Sequence, residues 1–148
     1  MPLESEIDAL IASTGKKTST ILQLLKETAM RIGEACRLKW IDIDLEHNTI
    51  TVNDPEKHGK PRMFKMSNKL AAMLNALPRI NNNLLGRTKA RDASKTLIIQ
   101  RRRTASKLQN PRINYIHFHT LRHWKATMEY HKNQGHFACK GDAWTPKH

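Results

Sequence analysis

Ile41-Asp42-Ile43-Asp44-Leu45-Glu46-His47-Asn48-Thr49-Ile50-Thr51-Val52 is where the period of the chain changes. Apolar residues stand at 41, 43 and 45, a polar turn follows at Glu46, His47 and Asn48, and apolar residues return at 50 and 52. Alternation of this kind puts successive side chains on opposite faces of a half-buried strand. Two antiparallel strands joined by a tight turn are the simplest reading. The residues before this stretch have helical spacing instead, so the chain is expected to be mixed α+β rather than all helical.

Working outward toward the N-terminus, Ser5 followed by Asp8 predicts a cap for a helix carrying Ile7, Leu10 and Ile11. Ile21, Leu24, Leu25 and Thr28 repeat at helical spacing, and a third helix is expected from about Ile32 to Trp40. In the other direction, Asn53 to Pro61 is rich in turn formers and lysines, and Met63, Phe64 and Met66 predict a third short strand. Ser67 is placed to cap a helix over Asn68 to Leu77. Pro78 to Ser94 predicts a loop with one helical turn, Leu97 to Leu108 a basic helix ended by Pro111, and His119 to His131 a further helix. The expected fold is therefore α+β, mainly helical with a small three-stranded antiparallel sheet. Beyond Lys132 the composition shifts: Asn133 to His148 holds Gly135, Gly141 and Pro146 with no amphipathic period, and is expected to be irregular or foreign to the fold.

With 148 residues the chain suits a single core. Lys and Arg total 26 against 13 for Asp and Glu, a formal charge of +13, which calls for a polyanionic partner. No apolar run approaches a membrane span and no signal-peptide pattern opens the chain, so a soluble, cytoplasmic protein with no membrane partner is expected, and nucleic acid is the remaining polyanion. Cys36 and Cys139 are too few for a disulfide framework and are expected to be free thiols.

Phe118-His119-Thr120-Leu121-Arg122-His123-Trp124 carries the most specific chemistry. A His and an Arg three residues apart share one helix face and can converge on one anion. Arg supplies permanent bidentate charge to nonbridging oxygens, and His donates a hydrogen bond or exchanges a proton near neutral pH. Taken alone, such a pair is more often the surface of a basic helix. No glycine-rich phosphate loop, paired acids or cysteine-pair zinc motif occurs. His131, His136 and Cys139 lack a fourth ligand at recognisable spacing, so no metal site and no cofactor are expected.

A second segment changes that balance. Lys26-Glu27-Thr28-Ala29-Met30-Arg31-Ile32-Gly33-Glu34-Ala35 resembles the first arginine segment of tyrosine recombinases of the phage-integrase type, Xer-like enzymes included. The strand pair, the lysine turn and the His119/Arg122 helix follow in that family's order, and the resemblance runs from about Ser5 to Lys132. Ala29 departs from the glycine more usual there. The resemblance implies the DNA breaking-rejoining enzyme fold and double-stranded DNA as partner, with a homo-oligomer as the working assembly. It implies that Arg31 and Arg122 clamp the scissile phosphate and that His119 hydrogen-bonds it. Lys57, or Lys60 in the same turn, would protonate the leaving oxygen. Lys60, Arg101, Arg102, Arg103 and His123 would contact DNA. Each has a plainer alternative: an Arg31–Glu34 ion pair, a partly buried His119 beside Phe118 and Trp124, solvated lysines, and a solvated arginine face. Two arginines and a lysine can supply the positive charge that many nucleases take from paired metals.

The family's tyrosine nucleophile has no counterpart in this reading. Tyr115 and Tyr130 are the tyrosines present, and both are read as core or surface aromatics. The expected organisation is an incomplete recombinase catalytic domain at 1–132 and an aberrant tail at 133–148, without the N-terminal clamping domain of most relatives. A one-base frameshift after about Lys132 accounts for the tail, because the shifted frame permits the family's next helix and its Leu-Gly-His segment, with the glycine forced by the Trp144 and Thr145 codons. The function expected is DNA binding by an integrase domain that does not cleave. The alternative is a non-catalytic module that regulates recombination sites.

Overall fold

The structure, a computed structural model, describes residues 1–53 and 59–140, with the backbone alone over 133–140. Among these residues the chain forms six α-helices and one three-stranded antiparallel sheet in the order β1-β2-β3. The helices are α1 (Glu4–Ser13), α2 (Lys16–Thr28), α3 (Ile32–Arg37), α4 (Asn68–Asn75), α5 (Ala90–Lys107) and α6 (Phe118–Lys140). The strands are β1 (Ile43–Asp44), β2 (Thr49–Val52) and β3 (Arg62–Lys65). This is the mainly helical α+β arrangement expected.

Helix α2 is the centre of the core. Ile21, Leu22, Leu24 and Leu25 are each no more than 1 % exposed, because α1, α4 and α6 all pack on this helix. Burial of each such side chain stabilises the fold by about 1.5–3 kcal/mol, so α2 and what is attached to its ends are held rigidly. The sheet covers the core with Ile50 and Val52, which alternate with half-buried Thr49 and Thr51. Its register sets Ile43 opposite Ile50 and Ile50 opposite Phe64.

Several boundaries differ from expectation for local reasons. The cap of α1 is formed by Glu6 rather than by Ser5 and Asp8. The Leu3 N–H donates to Glu6 Oε1 at 2.8 Å, while Glu6 Oε2 accepts from Asn110 at 2.8 Å. Helix α3 ends at Arg37, and Trp40–Asp42 forms a 3-10 turn in which the Lys39 N–H donates to the Asp42 carboxylate at 2.9 Å. That side-chain bond competes with strand pairing, so Ile41 stands 89 % exposed outside β1. Ser67 caps α4 as expected, accepting from the Leu70 N–H at 3.1 Å. The segment from Pro78 is pinned to the core by Leu84 and Leu85, each 2 % exposed, and by a hydrogen bond from the Leu84 N–H to the Leu38 carbonyl.

Helix α5 starts at Ala90, well before Leu97. Its buried stripe is Ala93, Leu97, Arg101, Thr104 and Ala105, and most of those residues are small or polar. Helix α6 keeps a helical backbone to Lys140, past the point where irregular structure was expected. A nucleated helix gains one hydrogen bond per added residue, and a single glycine costs only about 1 kcal/mol against it. Among the described residues no helix is long and apolar enough to cross a membrane, and no cluster of three metal-binding side chains occurs.

Candidate nucleic-acid interface

The site is built around the turn that ends α2. Thr28 Oγ1 donates to the Leu24 carbonyl at 2.8 Å and accepts from the Met30 N–H at 3.3 Å, and Met30 is 1 % exposed. Between them Ala29 takes the left-handed conformation, φ 60 and ψ 20, and its N–H closes the helix on Leu25. Glycine is the residue that adopts this region without the cost a Cβ brings. Arg31 follows in extended conformation and opens α3.

Two links tie this turn to its surroundings. From α6, Arg122 Nη1 donates to the Ala29 carbonyl at 3.1 Å, which sets its guanidinium beside the turn leading into Arg31. From α3, Glu34, buried to 1 % side-chain exposure, accepts from the Arg31 N–H at 2.9 Å and from Arg62 Nη2 at 2.7 Å. Arg62 pairs with Val52 at the root of the β2–β3 connection. One buried carboxylate therefore holds both the Arg31 backbone and the base of the lysine-bearing hairpin. The Arg31–Glu34 ion pair considered from sequence is replaced by this arrangement, in which Glu34 takes the Arg31 backbone instead. Among the described residues the half-buried Arg31 guanidinium makes no hydrogen bond or ion pair.

His119 is exposed on α6, one turn before Arg122, while its neighbours Phe118 and Trp124 are buried at 6 % each. Its Nε2 lies 2.8 Å from His123 Nε2, with the two rings edge to face. Trp124 packs α6 toward α2, where Lys26 stands over its ring at 5.5 Å. Lys57 lies outside the described residues, and Cys139 is described in its backbone alone. Lys60 is exposed just before β3.

The arginine run on α5 divides. Arg102 and Arg103 are exposed, but Arg101 is 9 % exposed and turned inward. Its Nη1 donates to the Ile116 carbonyl at 3.0 Å and to His117 Nδ1 at 3.1 Å. Burial lowers the Arg101 pKa, with Arg102 adding repulsion, and burial together with the Arg101 charge holds His117 below the ordinary histidine range. Arg101 is thus a brace for the segment that launches α6 and not a surface contact. The three-residue basic run hid this, because the buried helical stripe passes through only one of its members. The sequence also gave no sign that Arg62 reaches back to Glu34, a contact across two elements.

The phage integrase family model matches residues 3–134. Among solved structures, the fold is similar to XerA recombinase, with TM-score 0.68 and 23 % identity over 87 % of this chain and 50 % of that one. It is equally similar to the Tn1549 transposon integrase in complex with transposon right end DNA, with TM-score 0.68 and 18 % identity over 97 % of this chain and 54 % of that one. The chain spans about half the length of these structures. No curated protein matches it. With the family model covering nearly all the described residues and the fold shared with two recombination proteins, the chain belongs to the phage integrase family.

Proposed function

We propose that these residues form the phosphate-binding part of a tyrosine-recombinase catalytic domain, which binds duplex DNA and, as the 148-residue polypeptide, does not cleave it. The observation that carries the reading is the Arg122 bond to the Ala29 carbonyl, which brings α6 to the turn preceding Arg31. Arg31 and Arg122 hold the nonbridging oxygens of one phosphodiester, and His119 hydrogen-bonds the same group. Lys57, with Lys60 as the alternative, delivers a proton to the departing oxygen. Lys60, Arg102, Arg103 and His123 hold flanking phosphates, which position the duplex without reading its sequence. The DNA partner of the Tn1549 integrase supports this assignment of partner. The site of action is the cytoplasm, and a multimer on DNA is the working form.

Cleavage requires a hydroxyl within ~3–3.5 Å of phosphorus. Tyr115 is 75 % exposed at the end of the Pro111–Tyr115 3-10 turn, and Tyr130 stands two turns beyond Arg122, a helical rise of ~12 Å. Neither is suited to the role. The test of the binding claim is a gel-shift salt series on the full chain. Affinity should fall steeply with salt, and Arg31→Ala and Arg122→Ala should each reduce the slope of log affinity against log salt by ~0.9. Binding that is absent at low salt, or that both variants leave unchanged, overturns it.

A further inference from the structure

His119 and His123 lie one turn apart on α6, and both are exposed. Their Nε2 atoms are 2.8 Å apart, and the rings meet edge to face with centroids at 4.4 Å. Residues at i and i+4 are neighbours on a helix surface, so one rigid backbone carries both imidazoles. A single proton fits between the facing nitrogens, one Nε2–H donating and the other Nε2 accepting. Among the described residues neither Nδ1 has a hydrogen-bond partner, so each ring can carry its proton there instead and turn an Nε2 lone pair outward.

The spacing of the two nitrogens is that of a chelate. Two metal–nitrogen bonds of about 2.0–2.1 Å set at a right angle place their nitrogens ~2.9 Å apart, whereas a tetrahedral angle spreads them to ~3.4 Å. The observed 2.8 Å fits the right angle of a square-planar or tetragonal ion, the geometry of Cu2+ and Ni2+. The next turn of the same face carries Ala126 and Thr127, which bring no charge. Arg122 is turned to the Ala29 carbonyl at 3.1 Å, and Lys125 is paired with Glu129 at 2.9 Å. The positive end of α6 lies close to His119 and disfavours a hard cation held by charge alone. An ion that bonds to nitrogen lone pairs is selected over Mg2+. Among the described residues no third metal-binding side chain joins the pair, so water completes the coordination.

We propose that His119 and His123 chelate one divalent transition-metal ion of the Cu2+ or Ni2+ type on the surface of α6. On binding, the proton held between the rings moves through solvent to the Nδ1 of the ring that gave it up. Both Nε2 lone pairs then bond to the metal in exchange for waters of its hydration shell, and nothing is oxidised or reduced. The chelate needs neither Arg31 nor Arg122, so it stands or falls apart from the DNA-binding reading.

The test is titration of the full chain with Ni2+, followed by calorimetry and by the histidine ring resonances of the isotopically labelled protein. The rings of His119 and His123 should respond first and saturably, and Mg2+ at the same concentration should leave them unmoved. The two ligands act as a bivalent pair, so His119→Asn and His123→Asn should each weaken Ni2+ binding on the order of a hundredfold. Both positions are exposed, where substitution leaves the fold intact. His47→Asn, at an exposed imidazole bonded to Asp44 in the β1–β2 turn, should leave the affinity unchanged. Ni2+ affinity unchanged in either ligand variant overturns the proposal, as does a first response at any other histidine.

Discussion

Arg122 reaches across from α6 to hydrogen-bond the carbonyl of Ala29 at 3.1 Å, and Ala29 is the residue that bends left-handed at the end of α2. The contact and the strained backbone share one peptide. A left-handed alanine costs about 1–2 kcal/mol, part of which glycine returns through its greater freedom in the unfolded chain. Ala29→Gly should therefore stabilise the protein by about 0.5–1 kcal/mol and raise Tm by about 2 °C. Ala29→Val should lower Tm. Thermal unfolding followed by circular dichroism checks both, and a glycine variant that melts earlier contradicts the backbone argument.

The strength of that turn's signal explains what could be read in advance. Buried helices with plain apolar spacing, such as Ile21, Leu24 and Leu25 in α2, and the alternation at Ile50 and Val52 were legible because one residue type marks the inside. Helix α5 was half hidden because Ala93, Arg101 and Thr104 face the core, where polarity gives no warning. Within the proposed site, Arg31, His119 and Arg122 are candidates by family order. The Glu34 link between Arg31 and Arg62 could not be read in advance, since it joins residues from α3 and β3 that only the folded sheet brings together.

Arg101 and its neighbours should separate cleanly under mutation. Arg101→Met removes the donors that hold the Ile116 carbonyl and His117, and should cost about 2–3 kcal/mol of stability. Its effect on the salt slope of DNA binding should be nil. Arg102→Ala and Arg103→Ala, at exposed positions, should change stability by less than about 0.5 kcal/mol and lower the slope by ~0.9 each. Denaturant melts and gel shifts on the same three variants decide it. A loss of slope in Arg101→Met at full stability reverses the assignment.

Acid should weaken the fold through Glu6. The Leu3 N–H, then the Asn110 amide, and more weakly Arg112, hold its carboxyl below the ordinary carboxylate range despite some burial. A carboxyl whose folded pKa is depressed adds stability that is complete above its unfolded pKa of about 4.3 and is lost as pH falls through the lower folded value. Glu6→Gln should therefore be less stable than the parent near pH 6, and the gap should close as pH drops toward 3. Urea melts across that range measure it. A gap that stays constant, or widens in acid, shows that Glu6 is not the titrating brace.

The chain should form no covalent link to DNA. In the proposed site Arg31, Arg122 and His119 would stabilise charge and move protons, but they require an aligned hydroxyl to activate. Tyr130 lies on the same helix as Arg122, ~12 Å further along its axis. It also stacks edge-on with His131 at 5.5 Å. Tyr115 sits in a different position, 75 % exposed and at the end of the Pro111–Tyr115 turn. Incubation with nicked suicide duplexes, then a denaturing gel, should show binding without a protein-linked DNA band. If a band forms and Tyr130→Phe or Tyr115→Phe abolishes it, that tyrosine is the nucleophile, and α6 or the turn before it must rearrange on DNA to bring the hydroxyl to phosphorus.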